Sequence, residues 1–195
     1  MTRADGIIGS MRCRLHSLVV LAALSCLLHS CRDESPAAAR KPGLDGPYEV
    51  TKVVDGDTIH VSHALGKRKV RFVCIDTPEV RGQKRSPLGK SATNALRELL
   101  DGDEVYLAAA QAHEDADRYG RLLRHVFLED GTHLNLELVR GGWSAYYTKY
   151  GACPGYHVRF LEAEEDARTA GAGIWAHPDF LDGGYLDNAR GGEAR

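Results

Sequence analysis

Residues 48–75 read YEVTKVVDGDTIHVSHALGKRKVRFVCI, and this stretch predicts the core of the fold. Its segments 48–54, 57–62 and 69–75 are rich in Val, Ile, Thr and aromatic residues, which favour β-strands. A turn around residues 64–67 separates the second segment from the third. We therefore predict an antiparallel meander that begins at Tyr48.

The rest of the chain predicts two more strands and three helices. Apolar residues at helical spacing indicate helices at 91–100 and 157–169, and a short helix at 135–140 ends at two glycines. Residues 104–110 and 122–128 have strand composition. Five strands with inserted and C-terminal helices predict an α+β, mainly β domain built on a five-stranded barrel of the OB type.

The length and charge of the chain limit the classes of function. A chain of 195 residues suits one domain with tails. Its 25 basic and 27 acidic residues give a formal net charge of −2, which excludes a broad basic surface for polyanions. If the protein binds nucleic acid, we expect a local cluster of arginines to make the contact.

Residues 1–31 predict an export signal of the bacterial lipoprotein type. Two arginines precede an apolar stretch at 15–28, which is too short to span a bilayer comfortably. The stretch ends in a sequence that resembles a lipoprotein box with Cys31 as the lipidated residue, although His29 departs from the pattern. Lipidation at Cys26 and ordinary signal cleavage are the alternatives. We expect a monomer in the cell envelope that touches the membrane only through this lipid anchor, or a secreted protein.

Residues 32–47, rich in proline and alanine, predict a flexible linker to a domain at 48–177. Residues 178–195, rich in glycine and charge, predict a disordered tail. Once the signal is removed, Cys74 and Cys153 are the remaining cysteines, and in an oxidising compartment we expect them to pair. Two unrelated core thiols are the alternative.

Two acidic segments are candidates for a site. Asp55-Gly56-Asp57 joins two predicted strands, where glycine permits a tight or bulged backbone, but alone it is more typical of a simple turn. Asp76-Thr77-Pro78-Glu79 follows a strand, and the proline fixes the turn so that both carboxylates can point into one cavity. A helix-entry motif, with Asp76 as the cap and Glu79 returning the hydrogen bond, is an equal alternative.

Two arginines and one glycine-containing stretch are candidates for phosphate binding. Arg71 precedes Asp76 by five residues, so strand alternation places them on opposite faces unless a bulge or the end of the strand reorients one. Arg121 lies where a strand begins, and each arginine alone is typical of a solvated surface charge. Gly89-Lys90-Ser91 resembles the end of a phosphate-binding loop, but the glycine required five residues earlier is replaced by Lys84.

Taken together, Asp-Gly-Asp-Thr at 55–58, Arg71 with Asp-Thr-Pro-Glu at 76–79, and Asp-Arg-Tyr-Gly-Arg at 117–121 resemble the staphylococcal nuclease, or thermonuclease, family. The resemblance covers residues 48–177. It implies a calcium site, a general base, two phosphate-binding arginines and two substrate contacts. The implied calcium ligands are Asp57, Asp76 and the backbone carbonyl of Thr77, with Asp55 behind them. The implied general base is Glu79, and the implied phosphate-binding arginines are Arg71 and Arg121. The implied substrate contacts are Tyr119 and Arg118.

The resemblance implies a calcium-dependent endonuclease that hydrolyses phosphodiester bonds of single-stranded or double-stranded DNA or RNA by in-line attack and leaves 3′-phosphate products. The competing hypothesis is a non-catalytic OB-fold envelope lipoprotein that binds nucleic acid without cleaving it. Degenerate nuclease-like domains usually lack one of the acids or arginines, and none is missing here. A base-stacking residue is not assigned, since four aromatic residues near the end of the domain are equally suited to core packing: Trp143, Tyr146, Tyr147 and Tyr150.

Overall fold

The computed structural model describes residues 43–63, 66–82, 86–100, 104–110 and 114–191. The predicted signal with Cys31, and most of the predicted linker, lie outside these ranges. Within them, no helix combines the length and the apolar character needed to cross a bilayer.

Seven strands are present in the described residues, and five of them close into a barrel in the order β1-β2-β3-β6-β5. Strands β3 and β6 pair in parallel, whereas the other barrel pairs are antiparallel. This confirms the predicted α+β fold with a five-stranded OB-type barrel. The strands are β1 (Asp45–Asp55), β2 (Thr58–His63), β3 (Gly66–Phe72), β4 (Ile75–Asp76), β5 (Glu104–Ala109), β6 (Leu122–Phe127) and β7 (Ala145–Tyr146).

The three predicted helices are present, and the largest shift of a boundary is at the start of the first. Helix α1 begins at Pro87 rather than at residue 91, because the Ser86 hydroxyl accepts a hydrogen bond from the backbone N–H of Leu88 and proline suits the first helical position. The helices are α1 (Pro87–Leu99), α2 (Leu134–Arg140), α3 (His157–Ala170), α4 (Pro178–Phe180) and α5 (Leu186–Arg190), with a 3-10 turn at Gly173–Ala176 and a π turn at Leu181–Tyr185.

The barrel core fixes the strand register that builds the site. Ile59 and Val61 of β2 and Val70 and Phe72 of β3 are fully or almost fully buried, and a shift of one residue would expose them. In this register Thr58 pairs with Arg71, and the backbone N–H of Phe72 donates to the carbonyl of Asp57 at 2.9 Å. The β1–β2 turn therefore lies beside the end of β3.

A disulfide joins Cys74 to Cys153, with the Cα atoms 6.0 Å apart. Cys74 lies in the two-residue turn between β3 and β4 and has a positive φ of 64°. Cys153 lies in the loop before α3 and is almost fully buried. The bridge therefore links the turn that separates Arg71 from Asp76 to a distant part of the chain.

Residues 178–190, hereafter the C-terminal segment, differ from the predicted disordered tail. They form α4, the π turn and α5, and their apolar side chains pack around three buried residues, Ala145, Ile174 and Ala189. The glycine-rich composition suggested disorder, but Leu181, Leu186 and Ala189 fall on one packed face. The correction applies to residues 178–191; residues 192–195 lie outside the described ranges.

Candidate active site

The β1–β2 turn presents Asp57 to the loop that carries Thr77. One Asp57 carboxylate oxygen, Oδ2, accepts hydrogen bonds from the backbone N–H and the hydroxyl of Thr77, at 2.8 and 2.9 Å. A Cβ on Gly56 would lie 2.7 Å from the Thr77 hydroxyl and 2.9 Å from the side chain of Ala92. Glycine is therefore required at position 56 because the Thr77 and Ala92 side chains approach so closely. Its φ is not positive, so backbone conformation is not the reason.

Asp55 supports this turn from behind. Its Oδ1 accepts a hydrogen bond from the backbone N–H of Asp57 at 3.2 Å. Burial and the nearby Asp57 charge raise the pKa of Asp55 to about 6. The two aspartates thus repel each other within one turn, which favours a cation or cationic side chain beside them.

Arg71 is that cationic side chain. Its guanidinium lies 3.0 Å from Asp57 Oδ1 and 2.6 Å from Asp76 Oδ1, and it also donates to the carbonyls of Phe72 and Ile75. Burial lowers the pKa of Arg71, but the charges of Asp57 and Asp76 outweigh it and raise the pKa above the ordinary value. The strand ends at Phe72 and the chain turns at Cys74, which places Arg71 and Asp76 on the same side.

Asp76 is held from several directions. It pairs with Ala145 of β7, and its backbone N–H donates to the Ser144 hydroxyl at 2.9 Å. Its Oδ2 accepts from the Asn188 amide at 3.3 Å, and its backbone carbonyl accepts from the Tyr185 hydroxyl. The sequence analysis identified Asp76 but neither Tyr185 nor Asn188, because both lie in the segment predicted to be disordered.

Glu79 lies on the loop between β4 and α1, and its side chain is exposed. Backbone contacts with the start of α1 hold the loop in place. The Glu79 carbonyl accepts a hydrogen bond from the backbone N–H of Ser86 at 2.8 Å. A Cβ on Gly89 would lie only 2.5 Å from the same carbonyl, so the loop packs directly on this glycine. The helix-entry alternative for this segment is wrong, since α1 begins at Pro87 and Ser86 is its cap. The sequence analysis missed the packing role of Gly89.

Asp117 organises the loop before β6. Its Oδ1 accepts from the backbone N–H groups of Tyr119 and Arg121 at 2.9 and 3.0 Å, and its Oδ2 lies 2.7 Å from Nε of Arg121. Burial alone would raise the pKa of Asp117, but these hydrogen bonds hold it below the ordinary value. The sequence analysis gave Asp117 no role, although an aspartate two residues before Tyr-Gly is a signal for a side-chain turn.

A cleft of about 680 Å³ brings most of these residues together. Residues from both arginine segments and three tyrosines line it, whereas Glu79 and Asp57 do not contribute to its wall. Burial separates the four candidate aromatic residues: Tyr146 is in the core, Trp143 packs against the core, and Tyr147 and Tyr150 line the cleft. The site residues among the lining are Arg71, Asp76, Asp117, Arg118, Tyr119, Arg121, Tyr147 and Tyr150.

The oxygen atoms of this site suit a hard divalent cation. Because Asp57 and Asp76 both contact the guanidinium of Arg71, their carboxylates lie close together, and carboxylate oxygens are the ligands that calcium prefers. Each carboxylate has a second oxygen that does not contact Arg71. Asp57 is almost fully buried and Asp76 is partly open to the cleft. The donor set therefore fits calcium, with Asp76 as the accessible ligand.

Comparison with known proteins agrees with this geometry. Residues 69–177 match the family model described as Staphylococcal nuclease homologue. Endonuclease YhcR of Bacillus subtilis is 36% identical over an alignment of 170 residues, which covers 76% of this chain and 13% of that protein. An uncharacterized endonuclease of Escherichia coli O157:H7 is 34% identical over 130 residues, covering 67% of this chain and 77% of the relative.

The Thermonuclease of Staphylococcus intermedius is 32% identical over 130 residues, covering 66% of this chain and 75% of that protein. This chain spans about an eighth of YhcR and about three quarters of the other two relatives. The matched region contains the end of β3 with Arg71, strand β4 with Asp76, and the loop of Arg121. From the barrel, the cleft and these matches together, we conclude that the chain belongs to the staphylococcal nuclease family.

Proposed function

We propose that this protein is a calcium-dependent nuclease that hydrolyses phosphodiester bonds of DNA, RNA or both. The observation that carries the proposal is the convergence of Arg71, Asp76 and Arg121 on one cleft. Carboxylates that can hold a cation, placed beside two guanidinium groups, suit a substrate whose reacting group is an anionic phosphate. When bound at Asp57, Asp76 and the carbonyl of Thr77, calcium supplies positive charge that offsets the charge of the phosphate.

The two arginines have different environments and therefore different parts in the proposal. Arg121 lies at the cleft surface with 29% of its side chain exposed, and its Nη groups can fork onto phosphate oxygens while Nε stays on Asp117. Arg71 is more buried, with 14% exposed, and lies against both carboxylates. Both stabilise the transition state more than the ground state, as charge builds on the phosphate oxygens.

Glu79 is the proposed general base. Its carboxylate stands three residues beyond Asp76 on an exposed loop, where it can take a proton from an attacking water. The support for this role is the shared sequence Asp-Thr-Pro-Glu and the tight packing of the loop against Gly89, which holds the backbone of Glu79 in place. In-line attack by that water leaves a 3′-phosphate and a 5′-hydroxyl.

Exposed tyrosines support a nucleic-acid substrate. Tyr119 and Tyr150 are 63% and 73% exposed, and both line the cleft. Aromatic rings that line a cleft containing arginines can stack on bases of any sequence, at about 1 to 3 kcal/mol per base. Arg118 lies beside Tyr119, with its Nη2 donating to the hydroxyl at 2.7 Å. Tyr119 and Arg118 are the proposed substrate contacts, and single strands suit them because their bases are free to stack.

A cleavage assay with purified protein tests the proposal. Labelled single-stranded DNA, double-stranded DNA and RNA are incubated with calcium or with a calcium chelator, and the product ends are identified by mass spectrometry. We expect cleavage with calcium, none with the chelator, and 3′-phosphate ends. Cleavage that persists in the chelator would overturn the calcium requirement, and 5′-phosphate ends would overturn the proposed course of the reaction.

Two variants with matched controls test the residue roles. Glu79→Gln and Arg121→Ala are expected to lower kcat at least about a hundredfold, because each loses a group that acts in the transition state. The controls are Glu98→Gln and Arg97→Ala, which make the same changes on the exposed side of α1. Full activity in Glu79→Gln or Arg121→Ala, with melting temperatures equal to the controls, would refute the assigned roles.

We also propose that the protein is exported and anchored through a lipid on Cys31. The sequence pattern at residues 1–31 supports this. Fractionation of cells that express the chain, with mass spectrometry of the mature N-terminus, tests it. A diacylglycerol-modified cysteine in the membrane fraction is the expected result, and Cys31→Ser should abolish the modification; an unmodified mature N-terminus would overturn it.

A further inference from the structure

The C-terminal segment contacts the candidate metal ligand Asp76 at two points. Tyr185 reaches its backbone and Asn188 reaches its side chain. These contacts join residues separated by 109 and 112 positions in sequence. The family match ends at residue 177, so both contacting residues lie beyond the matched region.

Tyr185 connects the two strands of the small sheet that carries Asp76. Its hydroxyl donates to the carbonyl of Asp76 and accepts from the backbone N–H of Ala145 at 3.2 Å. Asp76 and Ala145 are partners in the β4–β7 pair. A single hydroxyl therefore fixes the end of this pair, at the residue whose carboxylate faces the cleft. The ring packs on Phe180, with the ring centroids 4.8 Å apart, which limits its freedom to move.

The amide of Asn188 has a defined orientation. Lys149 places its ammonium 3.1 Å from the Asn188 Oδ1, and an ammonium group can only donate hydrogen bonds. The amide oxygen is thereby engaged, which leaves Nδ2 as the donor that faces Asp76 Oδ2 at 3.3 Å. Arg71 holds the other oxygen of the same carboxylate. The Asp76 carboxylate is thus held between Arg71 on one oxygen and Asn188 on the other.

Contacts that do not involve Asp76 also hold α5 against the rest of the domain. The backbone N–H of Thr148 donates to the carbonyl of Ala189 at 2.8 Å. Arg190 lies 3.1 Å from Oε2 of Glu164, whose Oε1 accepts from the backbone N–H of Tyr146. Ala189 is almost fully buried in the cluster around Ile174. The docking is therefore separable from the contacts to Asp76 by substitution.

We propose that Tyr185 and Asn188 are positioning residues that hold Asp76 in the orientation in which it binds calcium. The proposal rests on the proposed calcium-dependent function. A ligand that is already held in place loses less conformational freedom when it binds a cation, so its affinity is higher. Loss of either contact should weaken calcium binding without removing a calcium ligand.

Calcium titration calorimetry on the purified protein without nucleic acid tests the proposal. Tyr185→Phe and Asn188→Ala should each raise the calcium Kd about threefold to tenfold, since each removes one hydrogen bond to Asp76 and Tyr185→Phe also removes the one from Ala145. Two controls share the same segment. Asp187→Ala changes an exposed neighbour, and Arg190→Ala weakens the docking of α5 without touching Asp76; both should keep the wild-type Kd. Melting temperatures are measured for all variants.

The calcium dependence of cleavage provides the second measurement. In Tyr185→Phe and Asn188→Ala, the calcium concentration for half-maximal rate should rise as the Kd rises, while the rate at saturating calcium stays within about twofold. A rise that Arg190→Ala shares equally would mean that general docking is responsible, and would overturn the proposal. Wild-type Kd values in both variants would overturn it as well, while leaving the proposed nuclease intact.

Failure of the underlying function gives a different result. If the wild-type protein neither binds calcium nor cleaves nucleic acid, the proposed function fails and this inference fails with it. If Tyr185→Phe does not fold, Asn188→Ala decides alone, since Asn188 is only half-buried.

Discussion

Asp117 holds Arg121 through both of its carboxylate oxygens. Oδ2 lies 2.7 Å from the guanidinium Nε, and Oδ1 accepts the backbone N–H at 3.0 Å. The first contact aims the side chain, whereas the second shapes the loop that carries it. The two effects can be separated, because asparagine can keep an oxygen for the backbone but cannot accept from Nε with an amide nitrogen.

We therefore predict that Asp117→Asn lowers kcat about tenfold to a hundredfold while the loop remains folded, as expected for the loss of a charge-assisted hydrogen bond. Steady-state kinetics on single-stranded DNA measures the effect. Asp115→Asn is the control, since Asp115 pairs with Arg124 instead. If both variants behave alike, the aim of Arg121 does not depend on Asp117.

Gly89→Ala should destabilise the protein and displace the loop of Glu79. A Cβ at this position would lie 2.5 Å from the Glu79 carbonyl and 2.6 Å from that of Pro78, both of which belong to the backbone and cannot swing away. We expect a loss of about 1 to 3 kcal/mol in the free energy of unfolding, measured by urea denaturation. Lys90→Ala, the next residue on α1 and exposed, should be nearly neutral; an equally neutral Gly89→Ala would contradict the packing role.

Reduction of the Cys74–Cys153 bridge should lower stability by about 4 kcal/mol on the chain-entropy model, because the bridge closes a long loop. Urea denaturation with and without dithiothreitol measures this. The paired variant Cys74→Ser with Cys153→Ser should show no further response to the reductant. A wild-type midpoint that does not change on complete reduction, verified by thiol titration, would contradict the prediction.

His133 should make stability fall in mild acid. Burial, with smaller contributions from the charges of His125 and Arg159, lowers the pKa of His133 to about 3. The unfolded chain takes up this proton near pH 6.5, whereas the folded chain does not until about pH 3. Between these values the unfolded state holds more protons, so stability is complete above pH 6.5 and is lost as the pH falls.

The expected loss from His133 between pH 7 and pH 5 is about 2 kcal/mol in the free energy of unfolding. His133→Phe should reduce this loss, because the ring stacks on Phe127 and its Nδ1 is buried without a hydrogen-bond partner among the described residues. Urea midpoints at several pH values measure the difference. The same pH slope in His133→Phe and wild type would show that other groups carry the acid sensitivity.

The sequence predicted the barrel because its strands are rich in Val, Ile, Thr and aromatic residues, such as Ile59 and Val61 of β2. It could not predict how Arg71 meets Asp76. In a continuous strand, residues five positions apart lie on opposite faces. Arg71 and Asp76 lie on the same side because the chain turns at Cys74, and a cysteine gives no local signal of the positive φ found there. The same holds for Gly56 and Gly89, which looked like turn or loop residues and are set by contacts with distant parts of the chain.

In the C-terminal segment, the sequence predicted disorder where the structure has helices. Its composition of glycine, aspartate and arginine predicted disorder, and local propensity alone would leave it unfolded. Its order comes from tertiary contacts, such as Ala189 with the backbone of Thr148 and Arg190 with Glu164. Nothing within residues 178–190 indicates that Tyr185 and Asn188 lie against Asp76.

The long separation between Asn188 and Asp76 also has a consequence for biogenesis. The residues that line the cleft come from three segments, within 71–76, 114–123 and 147–151, and the contact of Asn188 with Asp76 spans 112 positions. A chain that is still being synthesised lacks Tyr185 and Asn188 until 109 and 112 residues beyond Asp76 have been added. The contacts of Tyr185 and Asn188 with Asp76 are therefore completed only after the barrel sequence itself has been made.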